Sequence, residues 1–443
     1  MAAIDPSIYR KVTIVKGGRD IDIRAGCVSI DIFESVLSPN ITGIIQVVNA
    51  KGTIKDDKGD KVTLYDGLKI RGGEQVYLYI EKNAEQNERI EFIANPLYVS
   101  HISNLHKSEQ LEYFTIHLVS KEAFTNEHTF LDKYYTKDAP ISNHVQDIIQ
   151  NSFGAVETNI DPTSNPMGFV GNQEKPFNAL INLASKSVLA ETERASAGFF
   201  FYQTKSAFNF RSIDKLIMQE PKAKFVLTAF NRSRIEFEPQ PDLPSLDFKI
   251  INYELHVNQA LIDKLRVGAY STFRTFFDPI TQTVTTDGQN KFTGDDYIGP
   301  MKNLGQPFDE VDLAYGSVKL TNLPTKHITE IFDRGTLSGK KVVRDTTGLE
   351  IENVLSQRAV RYNSLYTQMM SVQVPLATNI EAGDLVQLLF PKINAEDKLD
   401  LDSPQMSGLY IVTDIRHHFD PTFSVTTMNV ARDTYGLTGT NNK

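Results

Sequence analysis

The chain predicts an α+β fold that is mainly β, with two similar β-rich regions around a smaller α/β segment. Three observations predict it. Apolar and polar residues alternate at both ends of the 443 residues, which is the period of a strand. In the middle the period changes to helical spacing. The two alternating ends also share a residue pattern.

Residues from about 10 to 125 read as strand after strand. Ile21 to Ile32 and Ile41 to Val48 alternate, and Val76 to Ile80 is a short run dense in β-formers. Leu97 to Ile102 follows, then Tyr113 to Val119 with Phe114, Ile116 and Leu118 on one face. Turn chemistry at Ser38-Pro39-Asn40, Lys58-Gly59-Asp60 and Gly72-Gly73 separates them. So many short strands predict a barrel or a sandwich. Ile141 to Phe153 then predicts a helix, with Ile141, Val145, Ile148 and Ile149 on one face and Gly154 as its stop. A loop is expected over about 158 to 175. Pro176 opens a second helix, with Phe177, Leu180, Ile181, Ala184 and Val188 as its apolar face. Gly198 to Gln203 and Ala207 to Arg211 predict a hairpin turned by Thr204-Lys205-Ser206. A short helix is expected at Asn258 to Leu265, then a long strand from Arg266 to Phe277, ended by Asp278-Pro279. Residues 281–344 have weak periodicity and predict a loop-dominated surface insertion. A third helix is expected from Leu349 to about Tyr362, carrying Ile351, Val354, Leu355 and Arg358. Strands return at Met370 to Val374, Leu385 to Phe390, Leu409 to Ile415 and Ser424 to Val430. The expected domains are therefore 1–125, 126–243, and 244–280 joined with 345–443, with 281–344 as an insertion.

The two ends match in register. Ile70-x-x-Gly73-Glu74-x-Val76-x-Leu78-x-Ile80 lies over Ile380-x-x-Gly383-Asp384-x-Val386-x-Leu388-x-Phe390. Leu97-Tyr98-Val99 lies over Leu409-Tyr410-Ile411, and Phe114, Ile116 and Leu118 match the spacing of Thr426, Met428 and Val430. Alternation alone would mean little. The glycine–acid pair in register predicts a duplication, with Gly73 over Gly383 and Val76 over Val386. A duplicated barrel bears on assembly, because a ring of three chains would present six similar units.

Composition excludes several classes. With 40% hydrophobic and 23% charged residues the chain is ordinary for a globular protein. No stretch is apolar enough for a membrane helix. Met1 to Arg10 has no secretory h-region, and Cys27 is the one cysteine, so no intrachain disulfide forms. A net charge of −9 without a basic stripe does not suit gripping nucleic acid.

No motif carries enzymatic chemistry. Gly335-Thr336-Leu337-Ser338-Gly339-Lys340-Lys341 has three residues between its glycines where a phosphate-binding loop needs four, and ends in Lys341 where Ser or Thr is required. His101, His106, His117, His128 and the pair His417-His418 form no HExxH. His327 with Glu330 is a weaker helix-face pair. Asp56-Asp57-Lys58-Gly59-Asp60 misplaces its glycine for an EF-hand. Asp397, Asp400 and Asp402 suit a cation or, more simply, a solvated hairpin tip. No residue is assigned a catalytic, cofactor-binding or metal-binding role.

Lys175-Pro176-Phe177-Asn178-Ala179-Leu180-Ile181-Asn182-Leu183-Ala184-Ser185, followed by Gly198-Phe199-Phe200-Phe201-Tyr202 and Phe208-Asn209-Phe210-Arg211-Ser212-Ile213-Asp214, resembles the middle domain of the central baseplate hub proteins of T-even-type contractile phages. Gly268-Ala269-Tyr270 leading to Phe277-Asp278-Pro279 is similar to the strand that follows there. Ala382-Gly383-Asp384-Leu385-Val386, Gly408 to His417 and Val430-Ala431-Arg432-Asp433 resemble the last strands of tail-hub barrels. One departure is Leu376 after Val374-Pro375, where hub barrels often have glycine. The resemblance covers about three quarters of the chain, leaving out 281–344. It implies two similar tube-forming β-barrel domains, a small α/β middle domain and a peripheral insertion. It also implies a structural, non-enzymatic homotrimer with a central channel. A sixfold tail tube or its initiator ring would lie above, a trimeric spike in a separate chain below, and baseplate wedge proteins around it. DNA and tape-measure protein would pass without specific binding. The place implied is the virion tail baseplate, assembled in the host cytoplasm. Related hubs serve type VI secretion and other contractile injection systems and flexible-tail tips, and these are the alternative. A tail-associated cell-wall hydrolase is the reading from another class.

Overall fold

The computed structural model describes residues 6–50, 54–55, 61–82, 88–154, 156–190, 197–227, 249–279, 282–285, 291–293, 304–305, 310–313, 316–331, 351–392, 403 and 405–434. Alternation along Gln75–Lys82 puts Val76, Leu78 and Ile80 on one face, and all three are fully buried. Its neighbours obey the same period, so their inward faces make one apolar layer. Cys27–Ser35, Thr42–Ala50, Leu111–Val119, Arg89–Lys107 and Gln75–Lys82 lie side by side in that order, all antiparallel. Ser7–Lys16 and then Arg19–Asp22 extend them beyond Gln75–Lys82.

The second half repeats this order. Asn252–Asn258, Gln368–Pro375, Val425–Arg432, Gly408–Phe419 and Leu385–Leu389 lie side by side, again all antiparallel. In both halves these five strands, Ser7–Lys16 and Arg19–Asp22 set aside, stand first, second, fifth, fourth, third in chain order. The expected closed barrels are not what the described strands form. The halves meet where Cys27–Ser35 pairs with Asp414 to Phe419, the part of Gly408–Phe419 that runs past Leu385–Leu389; with Ala223–Val226, parallel to Leu385–Leu389, the sheet has 13 strands.

Several expected boundaries move for local reasons. Ile21 to Ile32 is broken by a 3₁₀ turn at Arg24–Gly26, so strand pairing restarts at Cys27. The region near 258 is a strand, Asn252–Asn258, followed by a helix at Leu261–Val267. Gly268, with φ +75°, ends that helix, so the next strand begins only at Ser271. The expected loop over 158–175 holds Thr158–Ile160, parallel to Phe208–Ser212. In the helix Pro176–Lys186 the buried stripe is Phe177, Leu180, Leu183 and Ala184, and Ile181 faces outward. Val188 is buried but lies past the helix.

The middle segment has its own core. Ile141, Val145, Ile148 and Ile149 of the helix Ile141–Phe153 are fully buried against Phe177, Leu180 and the aromatic hairpin Phe199–Gln203 with Phe208–Ser212. Described parts of 281–344 are not only loop: Thr283–Thr285 and Lys291–Thr293 pair antiparallel, and Lys326–Ile331 parallel, with Ser271–Asp278. Leu304 is buried in the second half's core, so the insertion is anchored there.

Candidate assembly surface

The glycine–acid pair marks the same turn in both halves. Gly73 N–H donates to Val99 O at 2.7 Å and Val99 N–H to Glu74 O at 2.9 Å; Gly383 N–H donates to Val412 O at 2.8 Å and Val412 N–H to Asp384 O at 2.9 Å. The acid side chains match as well. Glu74 accepts from Arg71 N–H at 3.0 Å and Asp384 from Glu381 N–H at 2.8 Å. Glycine is needed because φ is +84° at Gly73 and +89° at Gly383. Val76 and Val386 follow at equivalent places. One register is corrected: Val99 stands over Val412, so Leu97-Tyr98-Val99 lies over Tyr410-Ile411-Val412. A one-residue slip exchanges the faces of a strand. At 410–412 both faces are buried, which hides the face from the sequence pattern.

The seam between the halves is ionic on one side and mainly apolar on the other, where His417 also lies buried opposite Ile32. Ile30, Ile32 and Phe419 are fully buried. Opposite them, His418 and Arg416 bond to the same oxygen of Asp31, at 2.7 and 2.8 Å. Burial works to raise the Asp31 carboxyl, but the bonds from His418 and Arg416 hold it below the usual carboxylate range.

Two buried ionic clusters fasten the middle segment to this frame. Glu34, buried and paired with Ile415 across the seam, accepts from Lys205 N–H at 2.8 Å and Ala382 N–H at 3.2 Å. Burial pushes its carboxyl up to about 7, against the pull of Lys205. Lys205 Nζ also pairs with Glu381 at 3.4 Å. The fully buried Arg361, on the helix Ile351–Leu365, bonds Asp214 at 2.8 Å and Asp433 at 3.2 Å. Asp433 also accepts from Leu304 N–H at 3.0 Å. A cleft of about 630 Å³ lies between the first half and the middle segment. On its wall Gln203 accepts from Ser120 Oγ at 2.7 Å and donates to Glu122 at 3.0 Å.

His101 and His117 stack face to face at 4.1 Å, and Ser103 and His117 are bonded at 2.7 Å. His106 is exposed, as is His128. His417 is fully buried with Thr426 Oγ1 at 3.1 Å. His327 lies on a strand, not a helix, and meets Thr275 Oγ1 at 2.8 Å; the Glu330 side chain is outside the described residues. So are 56–60, 335–341 and Asp397, Asp400 and Asp402. Among the described residues no group of three or more His, Cys, Asp or Glu is placed to hold a metal ion, and no helix is long and apolar enough to cross a membrane.

No family model matches the chain, and no curated protein matches it in sequence. Solved structures do. A tail protein from Neisseria meningitidis MC58 superposes with a TM-score of 0.51 at 9% identity, over 96% of this chain and 96% of that one. The 43 kDa tail protein of prophage MuSo2 from Shewanella oneidensis gives 0.51 at 11% identity, over 96% and 98%. The chain therefore has the fold of these tail proteins along nearly its whole length.

Proposed function

We propose that this chain is a structural subunit of a phage tail baseplate, a trimeric hub with a central channel. The observation that carries the reading is the repeated strand order, the two halves joined through Cys27–Ser35 and Gly408–Phe419, and in this reading each chain supplies two equivalent sectors of a ring. Three chains then supply six sectors, which suits a sixfold tail tube or its initiator ring on one face and a threefold spike on the other. The fold shared with two tail proteins supports it. In this reading 1–125 and 244–280 with 345–443 are the ring-forming domains, 126–243 the middle domain and 281–344 the insertion. Wedge proteins surround the hub, and DNA and tape-measure protein pass through without specific binding. The hub belongs to the virion tail, assembles in the host cytoplasm and does no catalysis. Native mass measurement and imaging of the concentrated chain test this: three chains and a ring with near-sixfold outline are expected. A stable dimer or hexamer would overturn it.

A further inference from the structure

The internal seam has a counterpart that the single chain leaves open. By the strand equivalences above, Arg89–Lys107 plays the part of Gly408–Phe419, and Asn252–Asn258 the part of Cys27–Ser35. Within the chain, Gly408–Phe419 and Cys27–Ser35 pair with each other. Their counterparts do not meet: no strand among the described residues pairs with the outer edge of Asn252–Asn258, or with that of Arg89–Lys107 past Tyr98. The exposures agree. Ile30 and Ile32 are fully buried in the seam, whereas Tyr253 and Leu255, which stand over them, are 38% and 37% exposed. Leu105 on the other open edge is 38% exposed. Long open edges with apolar side chains are ordinarily shielded in a finished protein.

We infer that these two edges pair between copies of the chain, repeating the internal seam as an intermolecular one. The register follows residue by residue. Ser103 and His106 pair with Thr115 and Tyr113 as Arg416 and His418 pair with Thr427 and Val425. Glu254 pairs with Ser371, the counterpart of Ile44, which pairs with Asp31. The internal pair His418 with Asp31 thus becomes His106 of one copy against Glu254 of the next. Leu105 falls opposite Leu255, and Lys107 opposite Tyr253. The arrangement keeps both an imidazole–carboxylate contact and an apolar contact, so the edges are chemically complementary as well as open. Asn104, with φ +52°, absorbs the one extra residue as a bulge. Because the two edges differ, the contact is head-to-tail and makes a ring if the rotation closes.

This inference rests on the hub reading, and the test separates the two. The full chain carrying His106→Cys and Glu254→Cys is mildly oxidised and run without reductant, beside each single variant. A covalent ladder ending at the trimer is expected from the double variant and not from the singles, since native Cys27 is buried. Leu105→Cys with Leu255→Cys is the second pair, at exposed positions that leave folding intact. Leu255→Asp should raise the concentration needed for assembly at least tenfold while the monomer's Tm stays unchanged. A trimer in which neither pair cross-links overturns the seam and leaves the hub reading standing. A chain monomeric at every concentration overturns both.

Discussion

Gly73 and Gly383 share a backbone conformation but not a neighbourhood, and the difference can be measured. A Cβ on Gly73 meets nothing within 4 Å, so Gly73→Ala carries only left-handed strain, about 1–2 kcal/mol. A Cβ on Gly383 would sit 2.1 Å from Tyr202 Oη, so Gly383→Ala should lose clearly more in urea unfolding. Equal losses would show that Tyr202 does not pack there. Arg361→Met leaves two buried carboxylates without their cation, and about 3–5 kcal/mol of stability should go. A loss under about 1 kcal/mol would show the pair relaxes into water. Asp31 is held below its unfolded value of 3.8, so its contribution is full above that pH and lost as pH falls through the folded value. Asp31→Asn should lack that contribution at neutral pH and show a flatter acid limb than the native chain. The glycines and the acids after them were legible in the sequence. The Arg361 cluster was not, because its members lie at 214, 361 and 433 and only folding brings them together.

At the scale of elements, strands with one buried face were legible and the rest shifted. Val76, Leu78 and Ile80 alternate because one face is dry. Residues 410–412 are buried on both faces, and there the pattern misplaces the register by one. Tyr253-x-Leu255-x-Val257 does alternate, and it marks the strand at Asn252–Asn258, just before the expected helix. Its exposure in the single chain is what an edge strand shows. The insertion behaves as a small sheet on Ser271–Asp278, tied in by Leu304 and Asp433. Removing it should lower thermal stability through the lost Leu304 contact while three chains still assemble. Loss of the trimer by native mass would show that the insertion holds the ring.

At the scale of the whole molecule the open edges and the acidic balance both bear on the proposed ring. A conduit should not hold phosphate, since every fixed contact adds affinity and slows passage. With a net charge of −9 the lumen is expected to be polar or acidic, without a continuous Arg/Lys stripe. An assembled ring should therefore not retain duplex DNA at physiological salt. A basic lumen that held DNA in a filter-binding assay would contradict this.

By itself the sequence determined which stretches alternate, where glycine must turn the chain, that the ends are duplicated, and that no metal or nucleotide motif is complete. These are local properties, written in period and in residue type. Tertiary structure alone decided that the two halves join through Cys27–Ser35 and Gly408–Phe419 instead of closing separately. It also decided which edges remain open. Both are questions of which hydrogen-bonding edge meets which, and a strand's period is the same whichever neighbour it finds.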